Sequence, residues 1–170
     1  LRTYHGQAAT PLGPADILTG NLAHTAFRAV LSASVFLVVA AALGALTSWW
    51  APLAALAGGL TALAFAAPIT AYSAAQETEF TFPLVMRLVV LPLFLFSGTF
   101  FPVSQLPEWL QPLAWPSPLW HGAELARAAT TGTLPAGGWS QLAADVAVLV
   151  AVVVVSWWFG ARAFTRRLRP

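Results

Sequence analysis

Residues 95–132 read LFSGTFFPVSQLPEWLQPLAWPSPLWHGAELARAATTG, an apolar run that passes into Pro- and Trp-rich sequence and then into a short helical pattern. Pro102, Pro107, Pro112, Pro116 and Pro118 forbid one long helix, because proline lacks the amide donor and its ring collides with the preceding turn. Trp109, Trp115 and Trp120 favour the headgroup zone of a bilayer, where the indole body is buried and its N–H stays wet. The stretch is therefore expected to be a structured segment at a membrane surface, with residues 102–141 outside the bilayer core.

Composition points the same way. Of the 170 residues 58% are hydrophobic and only 8% charged, and the mean hydropathy is +0.73, whereas a soluble domain carries about 25% charged residues. No cysteine is present, which excludes a disulfide framework and a cysteine-based metal site. All 8 basic residues are arginine, and their small excess over acids makes no basic patch for nucleic acid.

A charge at bilayer depth is costly and about 20 apolar residues cross the hydrocarbon core, so charge-free intervals mark spans. No charge occurs between Arg28 and Glu77, and Trp49-Trp50-Ala51-Pro52 divides that interval into 29–49 and 53–72, read as a tight helical hairpin. A third span is expected at 84–101, with Arg87 snorkelling at one end, and a fourth at 142–160. The fold class is thus all-α: a polytopic helix bundle of four transmembrane helices plus an external interfacial segment at 102–141.

In that arrangement Arg2, Arg28, Arg87, Arg162, Arg166, Arg167 and Arg169 lie on one side and Arg127 alone on the other. The positive-inside rule then places both termini in the cytoplasm. Residues 73–82, with Glu77 and Glu79, become a cytoplasmic loop. The first residue is Leu, and no basic stretch with a short apolar core and small-residue cleavage site precedes the first span. The sequence reads as part of a longer chain.

No lysine is available for a phosphate-binding loop of the G-x-x-x-x-G-K-[ST] kind, so ATP hydrolysis by that route is excluded. The middles of the four expected spans carry no ionisable residue, which disfavours ion coupling. Any work on a solute must then be driven from outside, most simply by a cytoplasmic partner. The N-terminal arm, residues 1–28, is the candidate receiver. It breaks at Pro11 to Pro14 and restarts as a helix with Pro14 early and Asp16 in the first turn, both suited to a helix N-terminus. Ile17, Leu18 and Leu22 fall on one side of that helix, which is expected to run on toward the first span.

Two groups of residues carry a resemblance. One is Tyr4-His5-Gly6, Ala9-Thr10-Pro11-Leu12, Asp16-Ile17-Leu18 and Gly20. The other is Phe96-Ser97-Gly98-Thr99-Phe100-Phe101-Pro102, Leu106-Pro107, Pro118-Leu119-Trp120-His121-Gly122 and Glu124-Leu125. Together they resemble the permease subunits of type 2 ABC exporters, especially the NodJ-like branch associated with nodulation-factor, polysaccharide and drug efflux. The resemblance implies that Tyr4, His5, Gln7, Thr10, Pro11 and Leu12 belong to a coupling helix that docks on an ABC ATPase subunit. It implies that the segment after the third span forms external re-entrant helices. Family members have six spans, so two are expected upstream of this chain.

Other readings stand beside these. The arm residues also read as a plain interfacial connection. His121, Glu124 and Arg127, at i, i+3 and i+6, share a helical face where pairing is favourable. With Trp120 they are candidates either for a substrate path or for a polar tie that fixes the external helix. A metal site is not expected, since no second ligand pair is nearby. His5 and His24 are expected at a wet interface, and Glu77 and Glu79 in a solvated loop or against the ATPase. Ser97-Gly98 could suggest an intramembrane protease, but no histidine lies inside a span to activate the hydroxyl. Ala40, Ala41, Gly44, Ala45 and Gly58-Gly59 would let helices approach closely in lipid.

The resulting expectation is a membrane-spanning permease subunit of an ATP-driven ABC exporter in the bacterial inner membrane, moving a polysaccharide, lipo-oligosaccharide or drug-like solute outward. It is not itself an enzyme and holds no cofactor, ATP being bound by the partner subunit. Its partners would be ABC ATPase subunits, a second permease in a homo- or heterodimer, and the bilayer. The alternative is a non-transporting membrane scaffold subunit.

Overall fold

The computed structural model describes residues 14–75, 83–84, 86–95, 97–99, 108, 111 and 114–167. Every regular element among them is helical: α1 (Pro14–Ala42), α2 (Pro52–Ala75), a π-helical turn (Met86–Val90) that runs into α3 (Leu91–Leu95), α4 (Pro118–Thr131) and α5 (Gly138–Arg167). Three of them, over Asp16–Ala42, Pro52–Ser73 and Gly138–Arg162, are long and apolar enough to cross a membrane.

α1 begins with Pro14 and has Asp16 in its first turn, where a missing amide costs nothing and a carboxylate meets the positive helix end. It stops at Ala42, short of the Trp49 end of the expected span 29–49. Gly44 takes φ +72°, its amide donates to Ala41 O (3.0 Å), and the Ala45 amide reaches back to Ala40 O (2.9 Å). This is a Schellman termination, which needs a left-handed residue after the last turn. Gly44 therefore ends the helix rather than admitting a neighbour, and a Cβ there would meet nothing within 4 Å.

Close approach comes from Gly58 and Gly59 instead. A Cβ on Gly59 would overlap Val30 of α1, and one on Gly58 would sit 3.5 Å from Ala33. The buried side chains of the bundle are mostly small, Ala54, Ala55, Ala57, Ala64 and Ala67 among them, while Phe27, Val35, Phe36 and Val38 of α1 point outward. Small residues inside and large apolar ones outside is the inverse of a soluble core and suits packing in lipid. Hydroxyls within the long helices bond to the preceding turn: Ser34 to Val30 O, Thr61 to Ala57 O and Thr70 to Ala66 O, each at 2.7 Å. That satisfies each donor without water.

α1 runs opposite to α2 and α5. At one end of the bundle Leu18 and Leu22 of α1 pack on Ala67 of α2, with Leu63, Ala66 and Ala161 around them. A Cβ on Gly160 would lie 3.0 Å from Leu18 and 3.2 Å from Ala71. Trp157 Nε1 donates to Thr19 Oγ1 at 3.0 Å, and the Arg162 guanidinium stacks 3.3 Å from the Trp158 ring centroid. Trp49, Trp50 and Trp139 are exposed at the opposite end, beside the starts of α2 and α5. From Trp139 to Trp157 the α5 axis rises roughly 27 Å, close to the thickness of a hydrocarbon core. The two tryptophan groups are thus spaced as interfacial belts.

Of the expected third span, 84–101, the described part is the π-helical turn and α3, with Pro92 in the first turn of α3. Proline cannot donate to the carbonyl four residues back, and a wider π turn just before it accommodates that loss. After α3, Ser97 Oγ donates to Phe94 O (2.7 Å) and lies 2.7 Å from Thr99 Oγ1, while Gly98 takes φ +74°. Both residues lie in a bend of the chain.

Candidate functional site

The expected ATPase-coupling residues Tyr4, His5, Gln7, Thr10, Pro11 and Leu12 lie outside the described residues, as do Glu77 and Glu79. The other candidate set, Trp120, His121, Glu124 and Arg127, lies on α4, and α4 is the element that connects the rest.

Pro118 opens α4 behind Ser117, whose backbone is extended (φ −76°, ψ 119°). The Ser117 hydroxyl does not cap the helix. It donates to Leu93 O in α3 at 3.2 Å. The helix closes at Gly132 (φ 72°), whose amide donates to Ala128 O at 2.9 Å. Its last turn is held to the α1–α2 connection, where the Thr47 amide donates to Thr130 O (3.4 Å) and Thr47 Oγ1 to the Thr130 and Thr131 carbonyls (3.3 and 3.4 Å). Midway, Gly122 presses on α2, and any Cβ there would overlap the Thr61 side chain.

His121 is the buried centre of this arrangement. Its Nδ1 lies 2.6 Å from Asp145 Oδ1 of α5 and its Nε2 lies 2.9 Å from Trp115 O. Trp120 stands edge-on to the imidazole, with ring centroids 4.8 Å apart. Asp145 is 1% exposed, and its Oδ2 has no hydrogen-bond partner among the described residues. Glu124 and Arg127 form an ion pair, and Arg127 also reaches Gly98 O at 3.4 Å. One side of α4 thereby grips α5, and the other grips the bend after α3.

The structure brings His121, Glu124 and Arg127 to one region but gives them different partners. Asp145 lies outside the sequence reading, which weighed only the middles of the expected spans, whereas this carboxylate sits near the start of 142–160. The available signal is that a lone acid in an apolar helix is costly unless partnered. Along α5, Asp145 is roughly 10 Å from Gly138, and along α2, Thr61 is roughly 14 Å from Pro52, at the α-helical rise. α4 thus meets its neighbours well below the ends of the long helices, while its last turn lies level with the α1–α2 connection.

The sequence matches the family model described as ABC-2 type transporter over residues 1–130. It is 34% identical over 168 residues to nodulation protein J of Sinorhizobium fredii (strain NBRC 101917 / NGR234), covering 98% of this chain and 62% of that protein. To nodulation protein J of Rhizobium leguminosarum bv. viciae it is 33% identical over 168 residues, 98% of this chain and 63% of the relative. To that of Rhizobium leguminosarum bv. trifolii it is 39% identical over 127 residues, 74% and 48% of the two chains. The chain therefore spans about three-fifths of the length of these relatives (62%, 63% and, over the shorter match, 48%). No solved structure matches. With the family match covering the arm, α1 to α3 and nearly all of α4, and three long apolar helices around that region, the chain belongs to the ABC-2 type transporter family as a multi-pass membrane protein.

Proposed function

We propose that the chain is part of the membrane-spanning permease of an ATP-driven exporter, working as a dimer with two ABC ATPase subunits. The observation that carries the reading is the relatedness to nodulation protein J along nearly the whole chain. The fold supports the mechanical side of it. α1 starts at Pro14, two residues after the last expected coupling residue, Leu12, and continues unbroken from the second half of the arm to Ala42, so a push on the arm would be carried along one rigid rod. Leu18, Leu22 and Thr19 join the start of that rod to α2 and α5.

In this proposal residues 84–101 complete a fourth span, and α4 is a re-entrant helix that enters from the outer face. The depth at which Gly122 and His121 meet α2 and α5 supports that placement. The arginine distribution supports cytoplasmic termini in a bacterial inner membrane. ATP binding would close the ATPases, the arm would transmit the movement, and a polysaccharide, lipo-oligosaccharide or drug-like solute would leave between the two permeases past α4. ATP can shift the permease only if the docked arm interacts differently with its inward- and outward-facing states.

Replacing Tyr4 and Leu12 with Asp tests the docking. The double variant of the full-length permease is expected to insert normally and to lose co-purification of the ATPase. Unchanged co-purification would contradict it.

A further inference from the structure

We propose that His121 and Asp145 form a proton-holding joint, in which the α4–α5 contact keeps both of its hydrogen bonds only while the pair carries one proton beyond that of a neutral imidazole. The argument is a count of donors. The Trp115 carbonyl can only accept, so the 2.9 Å contact requires a proton on Nε2. A neutral ring with its proton on Nε2 presents a lone pair at Nδ1. Asp145 Oδ1 lies 2.6 Å from that atom, and an ionised carboxylate presents only lone pairs.

Two acceptors do not share a 2.6 Å contact, so a proton lies between them. It sits either on nitrogen, giving imidazolium and carboxylate, or on oxygen, giving neutral imidazole and carboxylic acid. Both states are neutral overall. The opposite tautomer, with Nδ1–H donating to a carboxylate, aims the Nε2 lone pair at the Trp115 carbonyl and loses that bond. Removing the shared proton therefore breaks one of the two bonds that seat His121.

Among the described residues the surroundings offer no substitute charge. On α4 the neighbouring ionisable groups are Glu124 and Arg127, which pair with each other. α2 presents Thr61 opposite Gly122, and residues 93–95 and 97–99 contribute carbonyls and hydroxyls. Asp145 is the sole ionisable residue of α5 before Arg162. Its Oδ2 is buried and unpartnered among the described residues, so an ionised Asp145 beside a neutral ring would be a buried charge with little to balance it. Because α4 also holds Leu93 and the Thr47 connection, loss of the proton loosens the junction of all these segments. The ligand of this site is a proton. The inference stands on the geometry and does not depend on the export reading.

The test uses the full-length permease in lipid nanodiscs, labelled with 15N-histidine and 13C-aspartate, with His121→Gln and Asp145→Asn spectra assigning the two residues. The expected result is either two ring protons beside a carboxylate, or Nε2–H alone beside a carboxylic acid. A singly protonated ring beside an ionised carboxylate overturns the proposal. Asp145→Asn gives a second reading, because its amide N–H can donate to Nδ1 in place of the shared proton. That variant is expected to keep the Nε2–H tautomer and wild-type thermal stability, while Asp145→Ala loses stability. An Asn variant as unstable as the Ala variant would also overturn it.

Discussion

Gly122 has no side chain, and that absence lets α4 lie against Thr61 of α2. Gly122→Val is expected to cost about 1–3 kcal/mol, the usual range for overpacking, seen as a lower unfolding temperature in detergent. Thr61→Ala should recover part of that loss in the double variant, because the two changes share one contact. A full, additive loss would place the strain elsewhere. Gly44 is the contrasting case. Its φ of +72° means that Gly44→Val meets backbone strain of about 1–2 kcal/mol although the space is open. Gly58 and Gly59 were legible as packing residues because they sit mid-span, where a glycine has few other uses. Gly44 was not, since a small residue in the sequence does not say whether room or a left-handed backbone is needed. The His121–Asp145 contact was equally hidden. It joins positions 24 residues apart on two elements, and only the packed bundle brings them together.

At the scale of elements, the helices were read from charge-free intervals, and α2 at Pro52–Ala75 lies close to the expected 53–72. The limits of α1 and α5 were less legible, because hydropathy marks where a helix may lie in lipid, not where its hydrogen bonds stop. α1 ends at a glycine turn before Trp49, and α5 extends from Gly138 to Arg167, beyond both limits of 142–160. α4 was anticipated as a short helix carrying His121, Glu124 and Arg127 on one face, but not as the element that links α2, α3, α5 and the α1–α2 connection. Thr47→Val removes its hydroxyl donor to the Thr130 and Thr131 carbonyls while leaving the backbone bond in place. The expected cost is about 0.5–1.5 kcal/mol, read as faster amide exchange in the last turn of α4 and unchanged exchange in α2. Equal acceleration in both would mean that α4 has no separate anchor there.

For the whole molecule, the family was legible from two motif groups near the arm and around α4, and the match over residues 1–130 includes both. The solute was not legible, because apolar walls accept many amphipathic molecules. The orientation proposed from the arginines has a simple check, since the chain contains no cysteine. Thr133→Cys is expected to react with an impermeant maleimide in intact cells, and Glu77→Cys only after permeabilisation. The reverse pattern would invert the topology. The most direct test of the account reconstitutes the full-length permease with its ATPase in proteoliposomes and measures ATP hydrolysis with and without the Tyr4→Asp, Leu12→Asp change. The account expects the intact permease to raise the ATPase rate and the arm variant to leave it at the level of the ATPase alone. An ATPase rate indifferent to the permease would contradict an ATP-driven transporter and favour a membrane scaffold.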